Sequence, residues 1–319
     1  MCAANFVDVI SEFPDHSSPD FDQASYVEKY KNSSIIVSAS ARKLFFDYHW
    51  GALSLKTVLR GEEYYVTRHS KYKIVPGNYL ILNEGSEYSS YIDSAGQVES
   101  FTIHFGPRFV NRFFHSLFSP GDVIPGYDET GKQSCPAFVE KTYFQDDKIR
   151  TLLKDLHRVV QSGINNDHFF ERNEMDDLLR TLLLSLLTIN AGVQVEINSM
   201  TAARPSTREE VYRRLNYARD YMESSYGEVA SIDQVAKVAC MNPEYFIRQF
   251  KRQYKVTPAQ YLISRRMKAA GVALSSPGAS VSSVCRKVGY SDLSSFGKLF
   301  KRYFGLSPEA YSRQMQFAD

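Results

Sequence analysis

Two rhythms of apolar residues divide the chain. From 33 to 105 they come as short β-branched or aromatic runs: SSIIVSAS, ALSLKTVLR, EYYVTRH, KYKIV, YLILN, EYSSYI and VESFTIHF. Gly51, Gly61, Pro76-Gly77, Gly85 and Ala95-Gly96 punctuate them. Short runs between turn residues predict strands, and seven or eight at this spacing predict a sandwich or barrel. After 106 the period becomes helical. Helices are predicted over 107–118, about 146–161 and 168–190, with a Gly- and Pro-rich loop at 121–136. Leu178, Leu179, Leu182, Leu183, Leu186 and Leu187 form an i, i+3, i+4 stripe. It can bury against the neighbouring helix or form the seam between two copies. Residues 191–206 (AGVQVEINSMTAARPS) are polar, lack either period and read as a linker. Residues 1–30 show no period and read as an arm.

The last third repeats itself. SIDQVAKVACMNPEYFIRQFKRQYKVTPAQY (231–261) aligns with SVSSVCRKVGYSDLSSFGKLFKRYFGLSPEAY (280–311). Ser231/Ser280, Val235/Val284 and Ala236/Cys285 match at a shift of 49. Phe250/Phe300, Lys251/Lys301, Arg252/Arg302, Pro258/Pro308 and Tyr261/Tyr311 match at 50, so the second copy holds one extra residue between its helices. Each copy predicts helix, tight turn, helix. Ser231 with Gln234 suggests a capping box. Asn242 caps the next helix ahead of Pro243, and Ser291 is the expected cap in the second copy. Phe246, Phe250 and Tyr254 form one apolar stripe, with Glu244, Arg248, Lys251 and Lys255 opposite. Phe296, Leu299, Phe300 and Tyr303 form the other, opposite Ser294, Lys298 and Lys301. This is the pattern of a helix-turn-helix, whose second helix enters the DNA major groove. Thr257-Pro258 and Ser307-Pro308 start further helices. The helix predicted at 258–274 would be roughly 25 Å long, suited to spacing two reading helices near one DNA turn, about 34 Å.

Charge sharpens the division. The chain has 319 residues, length for about two domains, and a net charge of only +2. From 206 onward there are 18 Lys and Arg against 10 Asp and Glu, a net of +8; the remaining 20 against 26 give −6. A basic C-terminal part fits nucleic acid. No apolar run approaches 18 residues, so no membrane partner is expected, and the first 20 residues lack the features of a signal peptide. Cys2, Cys135, Cys240 and Cys285 show neither metal nor disulfide spacing, as expected of free thiols in a cytosol.

Residues 208–316, and most of all VGYSDLSSFGKLFKRYFGLSPEAYSR (288–313), resemble the DNA-binding domain of AraC/XylS-type bacterial transcription regulators. VPGNYLILNEGSEYSSYI (75–92) resembles the cupin-like barrel such regulators carry. The resemblance implies a two-domain protein: an arm (1–30), a mostly-β cupin-like effector domain with a helical dimerisation pair (31–190), a linker (191–206) and an all-α double helix-turn-helix domain (207–319). It implies double-stranded DNA, a small-molecule effector of unknown identity, a second copy of the chain and RNA polymerase as partners. By resemblance Glu244, Ile247 and Arg248 face base edges in the first copy, and Leu293, Ser294, Gly297 and Lys298 in the second. Arg248 suits guanine and Glu244 suits cytosine N4, whereas Leu293 offers only apolar contact and Gly297 no side chain. Lys251, Lys255, Lys301, Thr257 and Ser307 are the expected phosphate contacts.

A small barrel often encloses one ligand. Tyr48, His49, Trp50, Tyr65, Arg68, Tyr88, Tyr91 and His104 are the candidate lining residues, although any one of them reads more readily as ordinary barrel core. Alternation sets Thr102 and His104 opposite Phe101, Ile103 and Phe105. A cupin enzyme needs metal-holding histidines; His49, His69 and His104 are isolated and Glu87 stands where a histidine is wanted. No metal, cofactor or catalytic group is expected. The reading is a cytoplasmic, dimeric, effector-modulated regulator, an activator by resemblance. The alternatives are an effector-independent regulator or a cupin enzyme fused to a DNA-binding domain.

Overall fold

The computed structural model describes residues 7–14, 21–22, 24–25, 28, 33–68, 70–117, 137–163, 169–200, 204–276 and 278–316. The chain forms two compact units, Met1–Glu209 and Glu210–Asp319.

The first unit is built on one eight-stranded sheet. Its strands are β1 (Val7–Ile10), β2 (Ser34–Trp50), β3 (Leu53–Arg60), β4 (Glu63–Thr67), β5 (Lys71–Ile74), β6 (Asn78–Leu82), β7 (Glu87–Phe105) and β8 (Thr142–Phe144). The order is β1-β2-β7-β3-β6-β8, with β4 joining β5 to β7. The long β7 organises it: β2 pairs along one edge, β3 and β4 share the other. The strand expectations need three corrections. EYSSYI and VESFTIHF form one strand. Ala41 pairs with Val98 and Lys43 with Asp93, so residues 94–97 bulge out and the ladder resumes, which a turn-like Ala95-Gly96 permits. β2 runs on through Trp50, because the distant β7 supplies its partner. In the N-terminal arm, Val7–Ile10 pairs in parallel with Ser34–Val37.

Helices α1 (Pro107–Leu117), α2 (Asp147–Gly163) and α3 (Phe169–Asn198) follow. The predicted loop at 121–136 lies outside the described residues. α3 extends eight residues past the predicted end at 190, into the expected linker. The period in fact continues: Leu186, Asn190, Val193 and Ile197 are all buried. α3 packs against α2, and Leu179, Leu182, Leu183 and Leu186 are 0–1% exposed within this single chain. These four are therefore an intramolecular face, not an open seam; Leu178 and Leu187 are half-buried at its edge. Over Asn173–Asn198, α3 is long and apolar enough, at mean hydropathy 1.5, to cross a membrane, although the sequence reading expected no such segment. Its leucine face is enclosed by protein instead.

The second unit holds most of α4 (Pro205–Ser225), then α5 (Ile232–Val238), α6 (Pro243–Tyr254), α7 (Pro258–Leu274), α8 (Val281–Lys287), α9 (Leu293–Phe304) and α10 (Pro308–Gln316). Phe246, Phe250, Phe296 and Phe300 are fully buried. Phe300 meets Phe304 at 4.5 Å and Tyr311 at 5.3 Å between ring centroids. Phe304 presses on Gly271, where an added Cβ would lie 2.8 Å from its Cζ. The expected stripe residue Tyr303 is 41% exposed; its hydroxyl meets Ser264 Oγ at 3.1 Å. Phe304 packs against the core instead, continuing the i, i+4 row of Phe296 and Phe300.

Candidate nucleic-acid interface and cavity

The two copies in the second unit turn alike. Cys240 (φ 50°) and Gly289 (φ 85°) both take the left-handed conformation. The next residue closes each turn: Met241 N–H donates to Ala236 O at 2.9 Å, and Tyr290 N–H to Cys285 O at 3.0 Å. Asn242 then caps α6 through Oδ1, accepting from Glu244 and Tyr245 N–H at 3.0 and 3.4 Å. In the second copy Asp292, not Ser291, is the cap, accepting from Ser294 at 3.3 Å and Ser295 at 2.7 Å. Ser291 is the inserted residue between the closing turn and the cap. Hydrogen bonds from Ser295 hold the Asp292 carboxyl below its usual value, and its charge suits a helix N-terminus. Between the copies, Thr257 and Gln260 close a full capping box on α7. Arg266 of α7 donates to Tyr226 O at 2.9 Å and Val229 O at 2.6 Å. An added Cβ on Gly227 would stand 2.5 Å from Lys287 O, so backbone touches backbone where α8 ends.

These caps aim the outer faces of α6 and α9. Glu244, Ile247, Arg248, Lys251 and Lys255 are exposed, as are Leu293, Ser294, Lys298 and Lys301. The Arg248 guanidinium lies 5.4 Å from the Tyr245 ring centroid, a contact that orders it without consuming its donors. Gly297 opens onto empty space, with nothing within 4 Å of an added Cβ. Thr257 and Ser307 are half-buried and their hydroxyls accept from Gln260 and Ala310 N–H.

In the first unit, a cavity of about 110 Å³ opens beside the sheet. Ile10, Phe13, Ile35, Val37, Leu44 and Phe46 supply apolar wall, and Lys56, Glu63, Tyr65, Tyr88, Thr102 and His104 a polar end. Five expected residues line it: His49, Trp50, Tyr65, Tyr88 and His104. Trp50 is 65% exposed and marks the mouth. Three do not. Tyr48 and Arg68 are exposed, and Tyr91 stacks on Tyr64 at 4.9 Å beside Lys71. His69, Cys2 and Cys135 lie outside the described residues. Among the described residues no group of three His, Cys, Asp or Glu is placed to hold a metal.

The sequence reading missed Lys56 and Glu63. Both are 3% exposed. Lys56 lies on β3, which is paired on both edges. Its Nζ donates to Tyr88 Oη at 2.9 Å and lies 3.2 Å from His104 Nε2. Burial pulls the ammonium down to about 7, with Glu63 opposing. Burial, then Lys56, holds His104 well below its usual value. Burial raises the Glu63 carboxyl, which accepts from Ser100 Oγ at 2.6 Å. The available signal was a lysine inside an otherwise closed run, LSLKTVLR, since lysine is almost never fully buried without a role or partner.

A family model described as a helix-turn-helix domain matches residues 235–314. That span takes in both turns, both outer faces and the connecting α7. The chain carries an AraC-type DNA-binding domain. Over 96 residues it is 32% identical to the uncharacterized HTH-type transcriptional regulator YdiP of Escherichia coli (strain K12), covering 30% of this chain and 32% of that protein. Over 95 residues it is 34% identical to the HTH-type transcriptional activator RhaS of Escherichia coli O139:H28, covering 30% and 34%. The chain thus spans about a third of the length of these relatives. A solved transcriptional regulator with an AraC-type DNA-binding domain, from Chromobacterium violaceum, aligns at TM-score 0.31 and 22% identity, covering 33% of this chain and 94% of that one. In the AraC-type domain here, the outer face of α6 holds a charged pair, Glu244 and Arg248. That of α9 holds Leu293 and a gap at Gly297.

Proposed function

We propose that the protein is a sequence-specific DNA-binding transcription regulator, an activator, controlled by a small molecule held in the first unit. The observation that carries this is the pair of matching, exposed, separately capped helix faces on one compact unit. α7, of 17 residues, spans roughly 25 Å, a rise compatible with two reading helices entering successive major grooves. Glu244, Ile247 and Arg248 make the main base contacts; Leu293, Ser294, Gly297 and Lys298 make the weaker set; Lys251, Lys255 and Lys301 grip phosphate. Thr257 and Ser307, whose hydroxyls cap helices, add phosphate contact through the helix starts they close.

In this reading the sheet is a cupin-like effector barrel, and ligand in its cavity shifts the balance between two states of different DNA affinity. The protein works in the cytoplasm as a homodimer, recruits RNA polymerase, and is not an enzyme. Because four of the six stripe leucines are enclosed, dimerisation uses the outer side of α3, where Leu184 and Val195 are exposed. Selection of bound genomic fragments by the full chain at several salt concentrations, followed by footprinting, tests the core of the proposal. The expected result is one preferred site with two protected major-groove stretches about one turn apart. Equal binding to all fragments, vanishing together with rising salt, overturns it.

A further inference from the structure

We propose that Lys56 is a reactive amine that captures a small aldehyde or ketone as a reversible imine inside the cavity of the first unit. This rests on the reading that the cavity holds the effector, and it names the effector's chemical class.

The geometry leads to this class. Lys56 Nζ lines a cavity open at one side, fixed from below by a strand paired on both edges and from the sides by Tyr88 Oη and His104 Nε2. No carboxylate lies within ion-pair distance of it among the described residues; Glu63 favours the ammonium only from farther off. With its proton affinity drawn down to about 7, about half is free base at pH 7, against roughly one part in 2,500 for an ordinary lysine. A desolvated lysine of this kind is an activated nucleophile. A neutral carbonyl compound enters the apolar wall without carrying a charge in. A carboxylate would share the space with Glu63. The cavity approaches the roughly 150 Å³ of an engineered site that takes benzene, so the captured molecule is of about that size.

The step balances without any oxidant or reductant. Nζ adds its lone pair to the carbonyl carbon, and the carbonyl π pair moves to oxygen. Both Nζ protons leave in turn, His104 Nε2 being placed to relay them, and both end on the carbonyl oxygen, which departs as water. The Glu63 carboxyl, raised by burial, faces the same space. The product is a carbon–nitrogen double bond, and water reverses it.

The test treats the full chain with benzaldehyde and sodium cyanoborohydride at pH 7, then maps the benzyl group by peptide mass spectrometry. Expected is labelling of Lys56 about tenfold or more faster than of exposed Lys251 and Lys301, blocked by excess benzyl alcohol and absent in Lys56→Gln. Labelling confined to exposed lysines overturns the proposal. Thermal unfolding followed by Trp50 fluorescence, with benzaldehyde, benzoate or benzyl alcohol added, separates the two readings. If any of the three raises the midpoint while Lys56 stays unlabelled, the imine falls and the ligand cavity stands. If none shifts it and Lys56 stays unlabelled, both fall. Protection of wild-type Lys56 by benzyl alcohol keeps the proposal falsifiable should Lys56→Gln fail to fold.

Discussion

Replacing Lys56 with Met should stabilise the first unit at neutral and acidic pH, and the gain should shrink in alkali. Met keeps the length of the side chain and removes the ammonium. Burial lowers that ammonium from 10.5 to about 7. Between those values the unfolded chain binds one more proton than the folded chain, so stability rises with pH across the window. The destabilisation is fully present below about pH 7 and is gone above 10.5. The shift from 10.5 to about 7 corresponds to about 5 kcal/mol at pH 6 and about 2 kcal/mol at pH 9. Loss of the bonds to Tyr88 and His104 offsets about 1–3 kcal/mol at every pH. Lys56→Met should therefore exceed the wild type by about 2–4 kcal/mol at pH 6, and the gap should close by roughly 2–3 kcal/mol by pH 9. The other titratable groups facing Nζ, namely Glu63, Tyr65, Tyr88, His49 and His104, are present in both proteins, so the difference isolates the lysine. Trp50 is the single tryptophan of the chain and sits at the cavity mouth. Urea unfolding followed by its fluorescence at pH 6, 7, 8 and 9 thus reports this unit alone. A gap that stays constant from pH 6 to 9 would refute the reasoning and mean that Lys56 is held charged by Glu63.

Further outcomes follow for the second unit. Arg248→Ala should weaken binding to the preferred site by about 1–3 kcal/mol with little change on unrelated DNA, measured by titration against both; an equal loss on both makes Arg248 a phosphate contact. Lys301→Ala should weaken all sequences alike and lower the salt slope by about one, read from affinities at four salt concentrations. Asn242→Ala removes the α6 cap and should cost about 1 kcal/mol of stability, seen in far-UV unfolding. Gly227→Ala forces a Cβ to 2.5 Å from Lys287 O; that backbone cannot yield cheaply, and a loss of about 1–3 kcal/mol is expected.

The sequence alone determined the helical third of the molecule. Caps, turn residues and an apolar stripe act over three to five residues, so the repeat could be read in order, and α7 begins and ends where its pattern does. The departure there is local too: the inserted Ser291 is itself a good capping type, beside the Asp292 that caps α9. Tertiary structure decided the rest. β7 is one strand because β2, far off in sequence, pairs across its bulge. The leucine stripe is closed because α2 covers it, and no period in α3 can tell a partner helix in the same chain from one in another. The cavity is the clearest case. Lys56 meets Tyr88 across 32 residues and His104 across 48. A lysine's proton affinity depends on the water and charges around it, and only the folded sheet sets those.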